Sequence, residues 1–146
     1  KGMALLEQAG VNIRNGVCER DAQQLNLGFI KRMRTGRPLV RLKIATSLDG
    51  KIAMSSGESA WITSVAARAD VHRLRLDSCA VLTGINTVSI DDPQFTVRLA
   101  AEDIGSAYTR TDRSSVRVVL DSRQRLGKEA KILQQPGETW QLIADH

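Results

Sequence analysis

The chain has 146 residues, of which 42% are hydrophobic and 25% charged, with a net charge of +5. That composition suits one globular domain or pieces of two and excludes a collagen-like, disordered or disulfide-rich chain. No apolar run approaches the ~20 residues needed to cross a bilayer. The two cysteines, Cys18 and Cys79, lack the C-x-x-C spacing of a zinc or redox site and as free thiols fit a reducing cytoplasm.

Lys1 stands where an initiator methionine is expected, which points to a piece of a longer protein. The opening Lys1-Gly2-Met3-Ala4-Leu5-Leu6 is interrupted at once by Glu7 and Gln8, so it does not read as a secretion signal. Residues 2–9 read as the last turns of a helix with Gly10 beyond its end. Val11, Ile13 and Val17 suggest a short strand broken at Asn15-Gly16. Asp21 is the expected N-cap of a helix carrying Leu25, Phe29, Ile30 and Met33 at helical spacing, stopped by Gly36 and Pro38. Residues 1–43 hold nine Lys/Arg against three acids, and the remainder twelve against thirteen. The basic stretch Lys31, Arg32, Arg34, Arg37, Arg41 and Lys43 is either a solvated face or a patch for nucleic acid, a membrane surface or a phosphorylated small molecule. Stacking aromatics of a single-strand binder are lacking, with only Phe29 near the patch.

A domain boundary is expected near residue 38. Beyond it, Leu39–Thr46 reads as a strand, with Val40, Leu42 and Ile44 on one face and Arg41 and Lys43 on the other. Ser47-Leu48-Asp49-Gly50 is a turn, Lys51–Met54 a second short strand, and Ser55–Ala60 a loop. Thr63 or Ser64 caps a helix running to about Leu76, with Val65, Ala69, His72 and Leu76 on one face. Ala80–Thr83 is a strand ending in Gly84, Asp91-Asp92-Pro93 a turn, and 101–115 an exposed loop. Val116–Leu120 is a strand running into Asp121-Ser122, and Gln141–Ala144 the last strand. The order is that of an α/β sheet. Its apolar edges remain to be covered, so His146 reads as an end inside a domain.

No Gly-x-Gly-x-x-Gly, Walker loop, His-Glu-x-x-His or Gly-x-Ser-x-Gly occurs. His72 lies on the apolar face of its helix, where a core or interface role is the ordinary one. Asp91 and Asp92 can serve as an acid–base pair or simply make the turn before Pro93. The region around Thr46–Gly50 and Gly57–Thr63 is more informative, because open α/β sheets bind ligands at the carboxyl ends of strands. Trp61, in a polar loop before a helix, either stacks on a flat ring or plugs the seam between helix and sheet.

The residues here resemble a known family. Leu42-Lys43, Ala45 and Ser47-Leu48-Asp49-Gly50-Lys51-Ile52-Ala53, then Ser56-Gly57-Glu58-Ser59 and Trp61-Ile62-Thr63-Ser64, look like the start of the riboflavin-biosynthesis reductase domain. Gly84, Thr87-Val88, Asp91-Asp92-Pro93 and Thr96-Val97-Arg98 continue the likeness, and Arg117-Val118-Val119-Leu120-Asp121-Ser122 follows in the same order. The likeness is close over 39–125 and fades afterwards. Residues 2–36, from Gly2-Met3 through Ala9-Gly10-Val11 and Gly28-Phe29 to Met33-Arg34-Thr35-Gly36, resemble the end of the deaminase domain that precedes this reductase in the bifunctional enzyme.

The resemblance implies a partial dihydrofolate-reductase-like open sheet over 39–146, preceded in 1–38 by the tail and linker of a cytidine-deaminase-like α/β domain. It implies NADPH-dependent reduction of the ribosyl group of a phosphoribosylamino-pyrimidine to the ribityl product. Ala45, Trp61, Thr87, Asp91 and Ser122 would surround NADPH. Ser59, Arg75, Phe95 and Arg98 would face the substrate, and Lys43 would polarise or protonate the reacting centre. Phe95 stands where the family has a smaller aliphatic residue. Zinc belongs to the deaminase signature, His-Ala-Glu with Pro-Cys-x-x-Cys, and neither string occurs in this sequence. This chain by itself is therefore not expected to deaminate, and because the later reductase segments that the resemblance implies are also absent, it is not expected to reduce either. The implied partners are a phosphorylated pyrimidine and further copies of the chain in a dimer or tetramer, with no nucleic acid and no membrane. A non-catalytic junction or dimerisation segment of the same enzyme is the alternative, and a basic RNA-binding fragment a more distant one.

Overall fold

A computed structural model describes residues 2–59, 61–99 and 114–144. The chain divides into two compact units, Lys1–Leu42 and Lys43–His146.

The first unit holds three short helices: α1 (Gly2–Gln8), α2 (Glu19–Leu25) and α3 (Leu27–Thr35). Gly10 ends α1 as expected, at φ 75°, with its N–H donating to the Glu7 carbonyl at 3.0 Å. The strand expected over 11–17 is not formed. Gly16 turns at φ 77° and donates its N–H to the Asn15 side chain at 2.8 Å. The single helix expected after Asp21 is two. The Asn26 amide donates to the Ala22 carbonyl at 2.9 Å, a side-chain competitor for the backbone at the junction of α2 and α3. Cys18, in the left-handed region, takes the N-cap position instead of Asp21, and Gly36 closes α3 at φ 69°.

The second unit is α/β: α4 (Val65–Leu76), β1 (Ala80–Gly84), α5 (Ile85–Asp91), β2 (Val116–Leu120), a 3₁₀ turn (Lys131–Leu133) and β3 (Thr139–Leu142). The strands form one open, wholly parallel sheet in the order β1-β2-β3. Leu82 pairs with Val118 and Val118 with Trp140. β2 is therefore flanked on both sides and reads as a near-continuous apolar run, as buried parallel strands do. Ile85 and Val88 of α5, Val119 of β2 and Ile132 of the 3₁₀ turn make the core, with Phe95, Leu126 and Ala130 packed against it.

β1 and β2 form where expected, and β3 starts two residues earlier than expected. α5 was not expected: its seven residues have no side-chain N-cap bond and only Ile85 and Val88 to bury. The strands expected over 39–46 and 51–54 are not paired into a sheet. Val40, Leu42 and Ile44 are 76%, 83% and 60% exposed, and an alternating pattern without a neighbouring strand has no ladder to join. Of the loop expected over 101–115, residues 101–113 lie outside the described residues.

Arg117, in the middle strand, is only 2% exposed. Its Nε donates to Thr139 Oγ1 at 2.9 Å, Nη1 to the Pro136 carbonyl at 2.9 Å, and Nη2 to the Gln135 and Gly137 carbonyls at 3.1 and 2.9 Å. Burial pulls its pKa below the usual arginine value. The guanidinium stays charged, and oxygen acceptors rather than a carboxylate satisfy it. Arg117→Lys keeps the charge but loses the planar fork, so it is expected to destabilise the unit by about 2–4 kcal/mol, read by chemical denaturation. Gly137→Ala is expected to lower the melting temperature clearly, because Gly137 sits at φ 90° and an added Cβ would collide with the Ser114 hydroxyl. Gly127→Ala, which meets nothing and has no left-handed constraint, is the near-neutral control.

Candidate functional site

Two turns frame a cleft before α4. In the first, Gly50 at φ 79° lets its N–H reach the Ser47 carbonyl at 3.0 Å, while Ser47 N–H meets the Lys51 carbonyl at 2.9 Å. The Ser47 hydroxyl donates to Asp49, and Lys51 Nζ lies 3.3 Å from the same carboxylate. The Ser47 hydroxyl first, then Lys51, hold the Asp49 carboxyl below its ordinary pKa. In the second turn, Gly57 at φ 86° closes on Met54, and Met54 N–H reaches the Glu58 carbonyl at 2.8 Å. Ser47, Lys51, Glu58, Ser59 and Trp61 are among the residues lining the cleft of about 570 Å³. Trp61 plugs no seam: it is 77% exposed, with the Arg68 guanidinium 4.3 Å from its ring centroid. Lys51 and Glu58 line this cleft although the sequence reading gave them no role. Their position inside the turn motifs was the available signal. Ala45 is half-buried and Lys43 exposed in the segment leading into the first turn.

α4 starts at Ser64, whose hydroxyl accepts the Ala67 N–H at 3.2 Å. This cap satisfies one of the free N–H groups at the start of the helix that carries His72 and Arg75. Arg75 Nη1 donates to the Thr96 carbonyl at 3.2 Å, and its guanidinium lies 5.3 Å from the Phe95 ring centroid. His72 Nδ1 accepts the Arg98 backbone N–H at 3.1 Å. Three of the four residues expected to face a substrate, Arg75, Phe95 and Arg98, therefore come together, while Ser59 lies on the separate cleft with Trp61. Burial first, then the charge of Arg98, lower the Arg75 pKa. The contacts of Arg75 and Arg98 among the described residues include no carboxylate. Among the described residues no carboxylate offsets their mutual repulsion, which an anion would relieve. His72 itself is half-buried rather than a core residue.

The third group lies at the carboxyl edge of the sheet. Gly84 pairs with Leu120, so α5 leaves β1 at the same edge where Ser122 follows β2. Thr87 and Asp91, four residues apart on α5, share a helix face and are both exposed, as is Ser122. The adjacent Asp121 is fully buried, and its Oδ2 accepts from the Leu126 N–H and the Gln141 amide, each at 2.8 Å. Burial works against its ionisation, but the Arg125 and Leu126 N–H groups, Gln141 and the Arg125 charge outweigh it and lower its pKa. Asp92 closes α5 at φ 40° and is taken up by Lys131, whose N–H lies at 2.8 Å and whose Nζ at 3.1 Å. That contact gives Asp92 a structural task and leaves Asp91 outward. Among the described residues no cluster of three or more His, Cys, Asp or Glu could hold a metal ion, and no helix is long and apolar enough to cross a membrane.

The family model described as RibD C-terminal domain matches residues 38–145. The chain belongs to this family. It is 48% identical to the riboflavin biosynthesis protein RibD of Escherichia coli over 143 residues, which is 96% of this chain and 39% of the relative. The RibD of Haemophilus influenzae is 41% identical, with 96% and 38% covered. Among solved structures, Acinetobacter baumannii RibD superposes with a TM-score of 0.81 at 45% identity, covering 99% of this chain and 40% of that one. A Thermotoga maritima diaminohydroxyphosphoribosylaminopyrimidine deaminase/5-amino-6-(5-phosphoribosylamino)uracil reductase gives 0.84 at 35% identity, with 98% and 38% covered. The chain thus spans about two fifths of the relatives it matches. The RibD C-terminal likeness agrees with an α/β fold built on an open parallel sheet.

Asp49, Asp92 and Asp121 all have lowered pKa values. For Asp92 the Lys131 N–H is the first cause and the Lys131 side chain the second. Because the folded values lie below the unfolded one of about 3.9, the unfolded chain binds more protons in that range. Their stabilisation is therefore complete above that value and lost as pH falls through the folded values. Denaturation midpoints should decline gently below about pH 6.5, where the unfolded chain protonates His72 before the folded one does, and more steeply below about 4 as the three carboxylates titrate. Asp92→Asn, which tolerates the left-handed backbone, should flatten that decline. An unchanged midpoint down to pH 3 would contradict these assignments.

Proposed function

We propose that the chain is the first half of an NADPH-dependent reductase domain in a riboflavin-pathway enzyme, with residues 1–38 the tail and linker of its deaminase domain. The substrate class is a phosphoribosylamino-pyrimidine, whose ribosyl group is reduced to ribityl. The observation that carries this reading is the Arg75–Arg98 pair. Two arginines, the Arg75 guanidinium bonded to the Thr96 carbonyl and the Arg98 backbone to His72, with no carboxylate contact among the described residues, suit a phosphoryl group, which each can grip through two N–H donors.

The residues also suit the cofactor. Trp61 offers an exposed ring beside the cleft on which a flat ring can stack. Thr87, Asp91 and Ser122 are exposed near one edge of the sheet, where ribose hydroxyls and a carboxamide find acceptors and donors. Ala45, half-buried in the segment before the first turn, has a small side chain that would leave room for the cofactor. NADPH, when bound, supplies a hydride. Ser59 orients the substrate from the cleft, Phe95 holds the Arg75 guanidinium beneath its ring, and Arg75 with Arg98 anchors the 5′-phosphate. Lys43, exposed in the segment before the cleft, supplies positive charge or a proton to the reacting centre. Zinc belongs to the deaminase signature, which this sequence does not contain. The active protein is a homo-oligomer, dimer or tetramer, acting on small molecules rather than nucleic acid or membrane, in the cytoplasm.

Three tests follow the three groups, all on the full-length protein. NADPH should quench or shift Trp61 fluorescence in a Trp140→Phe background, and an unchanged spectrum would remove Trp61 from the cofactor site. Asp91→Ala should raise the KM for NADPH with the substrate KM less affected. A loss of thermal stability at unchanged cofactor affinity would instead assign Asp91 to the turn. Arg75→Ala and Arg98→Ala should each remove about 1.5–3 kcal/mol of binding, roughly tenfold to a hundredfold, for phosphorylated but not dephosphorylated substrate. Lysine at either position should rescue only part. If both alanine variants keep the wild-type preference for the phosphorylated form, the two arginines are not the phosphate clamp.

A further inference from the structure

His72 is the only histidine among the described residues, and it touches both arginines of the proposed phosphate site. Its Nδ1 accepts the Arg98 backbone N–H at 3.1 Å and lies 3.5 Å from Arg75 Nη1. The first contact joins positions 26 residues apart, between α4 and the segment that follows α5. Arg75 adds a second tie between the same elements through the Thr96 carbonyl, and its ring contact with Phe95 a third. The Ser115 hydroxyl, 2.7 Å from the Arg75 and Ser78 carbonyls, fixes the end of α4 on which all of this rests. Among the described residues, the His72 bond ties the Arg98 backbone to α4, while Arg98 Nη1 makes a long contact within its own segment, to Gln94 Oε1 at 3.4 Å.

We propose that His72 is a positioning residue for anion binding: its unprotonated Nδ1 seats the Arg98 backbone against α4 so that the Arg75 and Arg98 guanidiniums converge on one phosphoryl group. The inference rests on the reading of those arginines as a phosphate clamp. An imidazole that accepts at Nδ1 carries its proton on Nε2. Protonation at Nδ1 would abolish the acceptor and set a third positive charge beside two others. The surroundings oppose this. Burial first, then Arg75 on its own helix and Arg98 on the facing segment, lower the His72 pKa, while the Thr96 carbonyl acts weakly in the other direction. No carboxylate is among these influences on the ring. A neutral acceptor thus spares the two guanidiniums an additional like charge, which an acidic tether would cancel and a basic one would aggravate.

The geometry makes a side-chain-specific prediction. The Oδ1 of asparagine stands where Nδ1 does, one bond beyond Cγ, and can accept the same N–H. The oxygen of glutamine lies one atom farther out and cannot accept it from the same place. Binding of ribose 5-phosphate and of ribose to the full-length protein should be measured for wild type, His72→Asn, His72→Gln and Arg98→Ala. His72→Gln is expected to weaken ribose 5-phosphate about tenfold and His72→Asn less than about threefold, with ribose binding unchanged in both. Wild-type affinity should also fall, relative to His72→Asn, as pH drops through the His72 value, since only the wild type then loses its acceptor. If Arg98→Ala weakens ribose 5-phosphate while His72→Gln does not, the phosphate clamp stands and the role of His72 is overturned. If wild type does not prefer ribose 5-phosphate over ribose, or Arg98→Ala leaves that preference intact, the clamp itself fails and this inference with it. Equal losses in the Asn and Gln variants assign His72 to packing. Should the Gln variant not fold, the wild-type tautomer decides: long-range ¹H–¹⁵N spectra must show Nδ1 unprotonated, and a protonated Nδ1 overturns the proposal.

Discussion

A buried positive charge in the middle strand governs the second unit. Arg117 sits where a parallel strand flanked on both sides would ordinarily carry an aliphatic residue. It is held there by three carbonyls of the 135–137 segment and the Thr139 hydroxyl. The cost of removing a charge from water is met only while all those acceptors stay in place. The bonds therefore fix the crossover that leads into β3. At the other end of β2, Asp121 does the equivalent for the crossover that leaves it, gathering Leu126 and Gln141. With β2 pinned at both ends, Ile132 and Val119 meet Ile85 and Val88 in one core, and α5 is held beside the edge where Ser122 emerges.

That frame also explains where a ligand can go. Parallel strands deliver their carboxyl ends to one edge, and connections there are free to carry polar residues. Thr87, Asp91 and Ser122 are exposed near it, and Asp92, by binding Lys131, keeps α5 closed without engaging Asp91. The two arginines are held separately, Arg75 by the Thr96 carbonyl and Arg98 by His72. One bond holds a side chain to a backbone carbonyl, Arg75 to Thr96, and the other a backbone N–H to a side chain, Arg98 to His72, so both arginines are tied between the same two segments.

Parts of this were legible in the sequence. Val116–Leu120 is a short apolar run bounded by turn residues, and Ser64 before Val65–Leu76 is an ordinary cap, so both elements could be placed by local rules. Leu39–Thr46 has an equally clean alternation, yet a pattern states only which face is apolar, not whether a neighbour exists to pair with. α5 was hidden because Ile85–Asp91 mixes β-branched residues with polar ones and is held by the core, not by propensity. The split at Asn26 came from a side chain competing for a carbonyl, which spacing cannot reveal. In the site, Arg75 and Arg98 were singled out by resemblance, and Trp61 first by its place in a polar loop before a helix. His72 was placed on an apolar face, and its bond to Arg98 is a contact between distant segments with no local signature. Asp121 and Arg117 looked like strand punctuation and a polar-face residue, although both are buried.

On the proposed function, the protein containing this chain delivers a hydride to the ribosyl carbon of a phosphorylated pyrimidine. Full-length protein given 5-amino-6-(5-phosphoribosylamino)uracil and NADPH deuterated at one or the other face of C4 should form a ribityl product that is heavier by one mass unit for one of the two labelled cofactors and unlabelled for the other. A product without deuterium from either cofactor, or no substrate-dependent oxidation of NADPH by correctly folded protein, would contradict the account.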